Sequence, residues 1–199
     1  MFDRALRRRI DPFLELIAAR AQRMGLAADH VTWGGFIVGL GAMLAVALDM
    51  RNAALLLLFA NRLCDGIDGA LARRSSPTAR GAYLDIVLDF LFYAGFVFVF
   101  AVAQPTNALA AAFLIFSFVG TGTSFLAFAI VAAQKQLPAE DAKKGFAHLG
   151  GLTEGAETIL LFSAMLVWPQ AFATLAWTFG ILCWLTTAQR ISSTLRVLR

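Results

Sequence analysis

Six long apolar stretches dominate the chain: Val31 to Asp49, Asn52 to Leu71, Gly81 to Val102, Asn107 to Ala133, Thr153 to Trp168 and Gln170 to Thr187. Each is near the about 20 residues that cross a bilayer as a helix. Short polar joints separate them, at Met50-Arg51, Arg73 to Arg80, Gln104 to Thr106 and Pro169-Gln170, with one longer loop from Gln134 to Gly151. At 59% hydrophobic residues and a mean hydropathy of +0.71, the chain carries more apolar material than a soluble domain of 199 residues can bury. The expected fold is all-α: a polytopic membrane protein with six transmembrane helices over 31–190, forming a single domain over 1–199.

Ahead of the first span, over 1–26, Phe2, Leu6, Ile10, Phe13, Leu14, Ile17, Ala21 and Met24 recur at helical spacing opposite Arg7, Arg8, Arg20 and Arg23. This predicts an amphipathic helix lying in the membrane interface, in preference to a solvated helix packed on its own protein. Asp11 and Glu15 interrupt the stretch after the N-terminal arginines, so a removable signal peptide is not expected.

With an even number of spans, both termini and the second and fourth connections share one side. Arg4, Arg7, Arg8, Arg9, Arg20, Arg23, Arg73, Arg74, Arg80, Lys135, Lys143, Lys144, Arg190, Arg196 and Arg199 all fall on it, whereas Arg51 does not and Arg62 lies within a span. The positive-inside rule makes that side cytoplasmic, in a bacterial-type inner membrane. The same rule accounts for the net charge of +4 without a nucleic-acid partner, because the basic residues form no nucleic-acid module. Cys64 and Cys183 lie in apolar segments and read as packing residues.

Ionisable groups inside a membrane cost a few kcal/mol each, so carboxylates there call for partners and a function. Asp65 and Asp68 stand three apart on the second span, and Asp85 and Asp89 four apart on the third, so each pair shares a helical face. Folding the chain back near Pro77 sets Asp68 opposite Asp85 and Asp65 opposite Asp89. Four converging carboxylates need cations to neutralise them. All-oxygen ligation favours Mg²⁺ or Mn²⁺, with Ca²⁺ also admissible, over zinc. Gly69 leaves room for a ligand near the backbone, Ala72 is small on the same wall, and Arg73 offers a fork for phosphate, which together suggest a nucleotide-diphosphate site. The competing reading pairs the acids with Arg62, Arg73, Arg74 and Arg80 merely to brace the hairpin. Structure alone seldom requires four such acids, because replacing a buried charge pair is often neutral or stabilising.

The run Asp65-Gly66-Ile67-Asp68-Gly69-Ala70-Leu71-Ala72-Arg73, followed by Gly81, Asp85 and Asp89, resembles the motif of the CDP-alcohol phosphotransferase (CDP-alcohol phosphatidyltransferase) family. The resemblance extends over the whole chain, with Val31-Thr32 opening the first span. The interval from Arg73 to Gly81 is one residue shorter than the family's usual one, and Asp29 stands where many members have Asn. The resemblance implies that Asp65, Asp68 and Asp85 ligate two metal ions, with Asp89 as a further ligand and as the base that deprotonates the acceptor hydroxyl. It also implies that Gly69, Ala72 and Arg73 hold the CDP moiety of a CDP-linked lipid, that CMP leaves, and that the protein is a homodimer.

The acceptor alcohol is less legible. Lys135, Lys143, Lys144, His148 and Arg190 would suit a phosphorylated alcohol, although for the lysines membrane topology and attraction to anionic lipid are the favoured reason. Glu154 and Glu157 would suit a cationic or polyol acceptor, or else complement the dipole of a helix capped by Thr153. His30 receives no role. Two other classes use acids in membranes: Asp-rich prenyltransferases acting on lipid diphosphates, and cation-binding membrane proteins without enzymatic activity. Gly69, Ala72 and Arg73 following the acids favour the nucleotide reading.

Overall fold

A computed structural model describes residues 2–135 and 153–197, with side chains described over 10–135 and 153–196. Lys143, Lys144, His148 and Arg199 lie outside the described residues, as do the side chains of Arg4, Arg7, Arg8 and Arg9. Among the described residues the regular structure is entirely helical, as expected. The chain forms two compact units, Phe2–Pro105 and Thr106–Arg199.

The N-terminal unit holds α1 (Phe2–Arg23), α2 (Ala28–Ala47), α3 (Arg51–Ser75) and α4 (Ala79–Ala103). Gly25, at φ 78°, takes the left-handed conformation that ends α1. The imidazole Nδ1 of His30 then accepts the Ala27 N–H at 3.3 Å and closes the start of α2. Helix α2 packs on both α3 and α4, and α1 packs on α3. The α2–α3 approach is close because a Cβ on Gly35 would stand only 2.8 Å from Cys64 Cβ. Leu14 and Ala18 of α1 bury against Ala70 and Leu71 of α3. A side chain at Gly66 would meet Leu14 Cδ1 at 2.8 Å, so that glycine is the seat into which Leu14 fits.

The C-terminal unit holds α5 (Ala108–Gln134), α6 (Gly155–Val167) and α7 (Phe172–Val197), with single 3₁₀ turns at Pro105–Asn107 and Pro169–Ala171. Helix α5 packs on α7, and α6 touches α7. Gly120 permits the close approach of α5 to α7, since a Cβ there would meet Thr187 Oγ1 and the Trp184 ring at 3.1 Å. The capping alternative is corrected in its residue: the N-cap of α6 is Glu154, not Thr153. Thr153 is buried, with its hydroxyl 3.3 Å from that of Thr186. Glu157 Oε2 accepts the Glu154 N–H at 3.2 Å, which gives this acid a local structural task.

Each of the six apolar stretches overlaps one of the helices α2 to α7, and α2, α3, α4, α5 and α7 run past the expected bounds at one or both ends. Four are long and apolar enough to cross a membrane: α2, α4, α5 and α7. Helix α3 is equally long at 25 residues, but Arg62, Asp65, Asp68, Arg73 and Arg74 sit in it. Helix α6 has 13 residues. Large apolar side chains point outward along these helices, among them Ile37, Leu44, Leu56, Phe98, Leu109 and Leu160. Such outward faces suit lipid as the surrounding solvent.

Candidate metal centre and its helical hairpin

The hairpin of α3 and α4 is set by three residues. Ser75 donates its hydroxyl to the Leu71 carbonyl at 2.6 Å at the end of α3. Ser76 turns the chain with φ 70°, and Thr78 caps α4, its hydroxyl accepting the Gly81 N–H at 3.0 Å. Gly81 is tight here as well, because a Cβ would meet Thr78 Oγ1 at 3.1 Å and Asp29 Oδ1 at 3.2 Å. The shortened Arg73–Gly81 interval is therefore accommodated by a compact, capped turn.

This turn brings the acids together. Oxygens of Asp65, Asp68 and Asp85 lie within 4.8 Å of one another. Asp68 is buried and Asp65 half-buried, while Asp85 is exposed. Thr32 of α2, whose hydroxyl donates to the Ala28 carbonyl at 3.0 Å, also faces Asp68. Asp89, one turn beyond Asp85, stands apart from this group of three: Arg62 Nη2 donates to its Oδ1 at 2.9 Å. Arg62 Nη1 is 3.7 Å from Asp65 Oδ2, so Asp65 and Asp89 approach the same guanidinium. The expected register, Asp68 toward Asp85 and Asp65 toward Asp89, is met by these contacts.

The remaining arginines do not brace the acids. Arg73 and Arg74 each stand 3.5 Å from a carboxylate oxygen of Glu15 on α1, and Arg80 pairs with Asp29 at 3.3 Å. A hairpin held by Arg73, Arg74 and Arg80 against the four acids is therefore not the arrangement present. Arg62, by contrast, approaches both Asp65 and Asp89.

A shallow, open cleft lies over the cluster, with Thr32, Asn61, Arg62 and all four Asp residues on its polar side. Gly69, Ala72 and Arg73 follow Asp68 on α3, one, four and five residues further along, and do not line this cleft. A side chain at Gly69 would contact Arg73 Nη1 at 3.5 Å, so the glycine leaves open the space beside that guanidinium.

The donor set fits a hard divalent cation. Mg²⁺ holds oxygens at about 2.0–2.1 Å, so oxygens on opposite sides of the ion stand about 4.2 Å apart, and Ca²⁺ widens this to nearly 5 Å. The spread of 4.8 Å among the three carboxylates needs only small side-chain rotations to close on such an ion. Cys64, the nearest sulfur in sequence, is absent from both this group and the cleft lining.

Sequence reasoning passed over several residues that organise this site. Asn61 donates to the Gly35 carbonyl at 2.8 Å and accepts from Arg62 Nε at 2.8 Å. The Tyr93 hydroxyl accepts from Arg62 Nη1 at 3.0 Å. The available signal was a buried-type Asn beside an Arg in an apolar run, four residues before Asp65.

A helical hairpin that presents paired acids beside a small-residue and Arg run defines a class of membrane transferase. The chain matches the CDP-alcohol phosphatidyltransferase family over residues 26–189, and it belongs to that family. The inner membrane protein YnjF of Escherichia coli strain K12 is 49% identical to it over 195 residues, covering 97% of this chain and 95% of that protein. An archaetidylinositol phosphate synthase of Pyrococcus horikoshii is 25% identical, covering 94% and 93%. The fold is similar to that of the Mycobacterium tuberculosis phosphatidylinositol phosphate synthase PgsA1 with CDP-DAG bound, with a TM-score of 0.65 at 22% identity over 91% of this chain and 92% of that one. PgsA1 in complex with manganese and citrate gives the same TM-score of 0.65 at 23% identity, over 92% and 88%.

Proposed function

We propose that the protein transfers a substituted phosphate group from a CDP-alcohol, CDP-diacylglycerol being the expected donor, to the hydroxyl of a second small alcohol in phospholipid biosynthesis, releasing CMP. The observation that carries this reading is the convergence of Asp65, Asp68 and Asp85 within 4.8 Å, with Asp89 one turn away, inside the region that matches the family. In the reaction the acceptor oxygen bonds to the β-phosphorus, the bond from that phosphorus to the oxygen of CMP breaks, and the acceptor proton passes to a carboxylate.

Asp65, Asp68 and Asp85 hold Mg²⁺ or Mn²⁺ in this reading, and Asp89 contributes to a second ion. Bound divalent ions would neutralise the pyrophosphate and stabilise charge on the departing CMP. Asp89 takes the acceptor proton; without metal its Oδ1 is held by Arg62 Nη2 at 2.9 Å. Arg73, with space left beside it by Gly69 and Ala72, binds the CDP phosphates, for which a planar fork of donors is suited. The loose 3.5 Å contact of Arg73 with Glu15 is weak enough to be exchanged for phosphate.

The proposal includes six membrane-crossing helices, α1 in the interface, the site facing the cytoplasm of a bacterial-type inner membrane, and a homodimer. Exposed Phe13, Leu16 and Met24 support an interfacial α1. Arg51, the cation on the opposite side, is paired with Asp49 at 2.8 Å and so carries little net charge there. The acceptor is tested directly: purified protein is given Mg²⁺ and CDP-diacylglycerol with glycerol 3-phosphate, inositol phosphate, inositol, serine, ethanolamine or choline separately, and CMP release is measured. Release with one acceptor names the product; equal rates with and without every acceptor would contradict an alcohol transferase.

A further inference from the structure

Arg62 is a cation planted in the middle of α3, with a side chain only 15% exposed. Its guanidinium is pinned from several directions. Nε donates to Asn61 Oδ1 at 2.8 Å, Nη1 to the Tyr93 hydroxyl at 3.0 Å, and Nη2 to Asp89 Oδ1 at 2.9 Å. The group also lies 5.0 Å from the Phe92 ring centre and 5.3 Å from that of Tyr93. So many contacts exceed what charge balance alone requires and fix the guanidinium between Asp89 and Asp65 Oδ2, which is 3.7 Å away.

The acidic cluster therefore has two unlike ends. At one end, Asp65, Asp68 and Asp85 converge on one another within 4.8 Å. At the other, Asp89 already faces a fixed positive charge. We propose that Arg62 is a tethered competitor of the second metal ion: the Asp65–Asp68–Asp85 end takes the first divalent cation, and a second binds through Asp89 only as Arg62 gives up that carboxylate. A like charge held a few ångströms away opposes the second ion, and the hydrogen bonds to Asn61 and Tyr93 keep it there. Asn61 and Tyr93 are thus positioning residues acting through Arg62. The inference rests on the metal reading above and deepens it, because it makes the two cation positions unequal by construction of this chain.

The test is a Mn²⁺ titration of the full-length protein in detergent, with free Mn²⁺ counted by electron paramagnetic resonance. In the wild type, two binding classes at least tenfold apart are expected, or only the first within the accessible range. Arg62→Gln should tighten the second class at least tenfold more than the first. Arg62→Lys, which keeps a charge, should remain close to the wild type. An unchanged ratio in Arg62→Gln would overturn the inference while leaving the metal site intact. Absence of any Mn²⁺ binding in the wild type would overturn the metal reading and the inference with it. If Arg62→Gln is not monodisperse, Tyr93→Phe supplies the decision. It removes one hydroxyl that holds Arg62 and must move the ratio in the same direction; no movement overturns the proposal.

Discussion

Asn61 links two helices and an ion pair at once: its Nδ2 donates to the Gly35 carbonyl of α2 at 2.8 Å, and its Oδ1 accepts from Arg62 Nε at the same distance. The residue is buried, so both its amide groups are committed. Asn61→Leu keeps the number and branching of the side-chain heavy atoms and removes both bonds, leaving the Arg62 guanidinium held on fewer sides. A loss of about 1 kcal/mol is expected from the interhelical bond, together with weaker ordering of Arg62. Thermal unfolding in detergent checks this: the melting temperature should fall, and an unchanged value would deny the linkage.

Two neighbouring glycines of α2 should respond oppositely. A Cβ at Gly35 would stand 2.8 Å from Cys64 Cβ, whereas one at Gly34 meets nothing within 4 Å. Gly35→Ala should force α2 away from α3 and cost about 1–3 kcal/mol as overpacking does. Gly34→Ala should be neutral or stabilising by up to about 1 kcal/mol, since it removes a poor helix former. Paired melting curves decide, and equal effects would contradict the close α2–α3 packing.

Much of this arrangement was legible in the sequence, for identifiable reasons. Apolar run length located a helix in each of the six stretches, because helix length in an apolar solvent is fixed by few rules. The three- and four-residue spacings placed the acids on shared faces, and the turn at Ser75-Ser76-Pro77 set their register. Arg62 was visible within its span, but its attachment to Asp89 depends on how α3 and α4 are rotated about their own axes. No one-dimensional pattern encodes that rotation. The start of α6 failed for a related reason. Thr153 is a good capping residue by type, yet its hydroxyl meets Thr186, thirty-three positions away, and Glu154 takes the cap.

The acids of the cluster should show a conflict between function and stability. Neutralising one member of a like-charged group relieves repulsion. Asp85→Asn is therefore expected to weaken Mn²⁺ binding at least tenfold if a cation sits among the three acids as proposed, while the metal-free protein melts at the same or a higher temperature. Isothermal titration and thermal unfolding test the two halves. A marked fall in melting temperature without added metal would mean that Asp85 is structural.

Chelation should reproduce the loss of activity without mutation. EDTA is expected to stop CMP release, and excess Mg²⁺ or Mn²⁺ to restore it, whereas turnover that persists after exhaustive chelation would remove metal from the reaction.

Asp89→Asn separates binding from chemistry. If Asp89 is the base, its loss is expected to lower turnover by a factor of about 10²–10⁴, while binding of the CDP-linked donor, assigned in the proposal to Arg73 and its neighbours, changes little. Rates near the wild type in this variant would exclude Asp89 as the base.

The most direct measurement needs no knowledge of the acceptor. The purified protein is incubated with labelled CMP, Mg²⁺ and lipids extracted from cells that express it, and label is sought in the lipid phase. A CDP-alcohol phosphatidyltransferase run in reverse should convert its own product and CMP into a labelled CDP-lipid, dependent on metal and lost in Asp89→Asn. A folded, metal-binding protein that leaves all the label in water would contradict the proposed reaction.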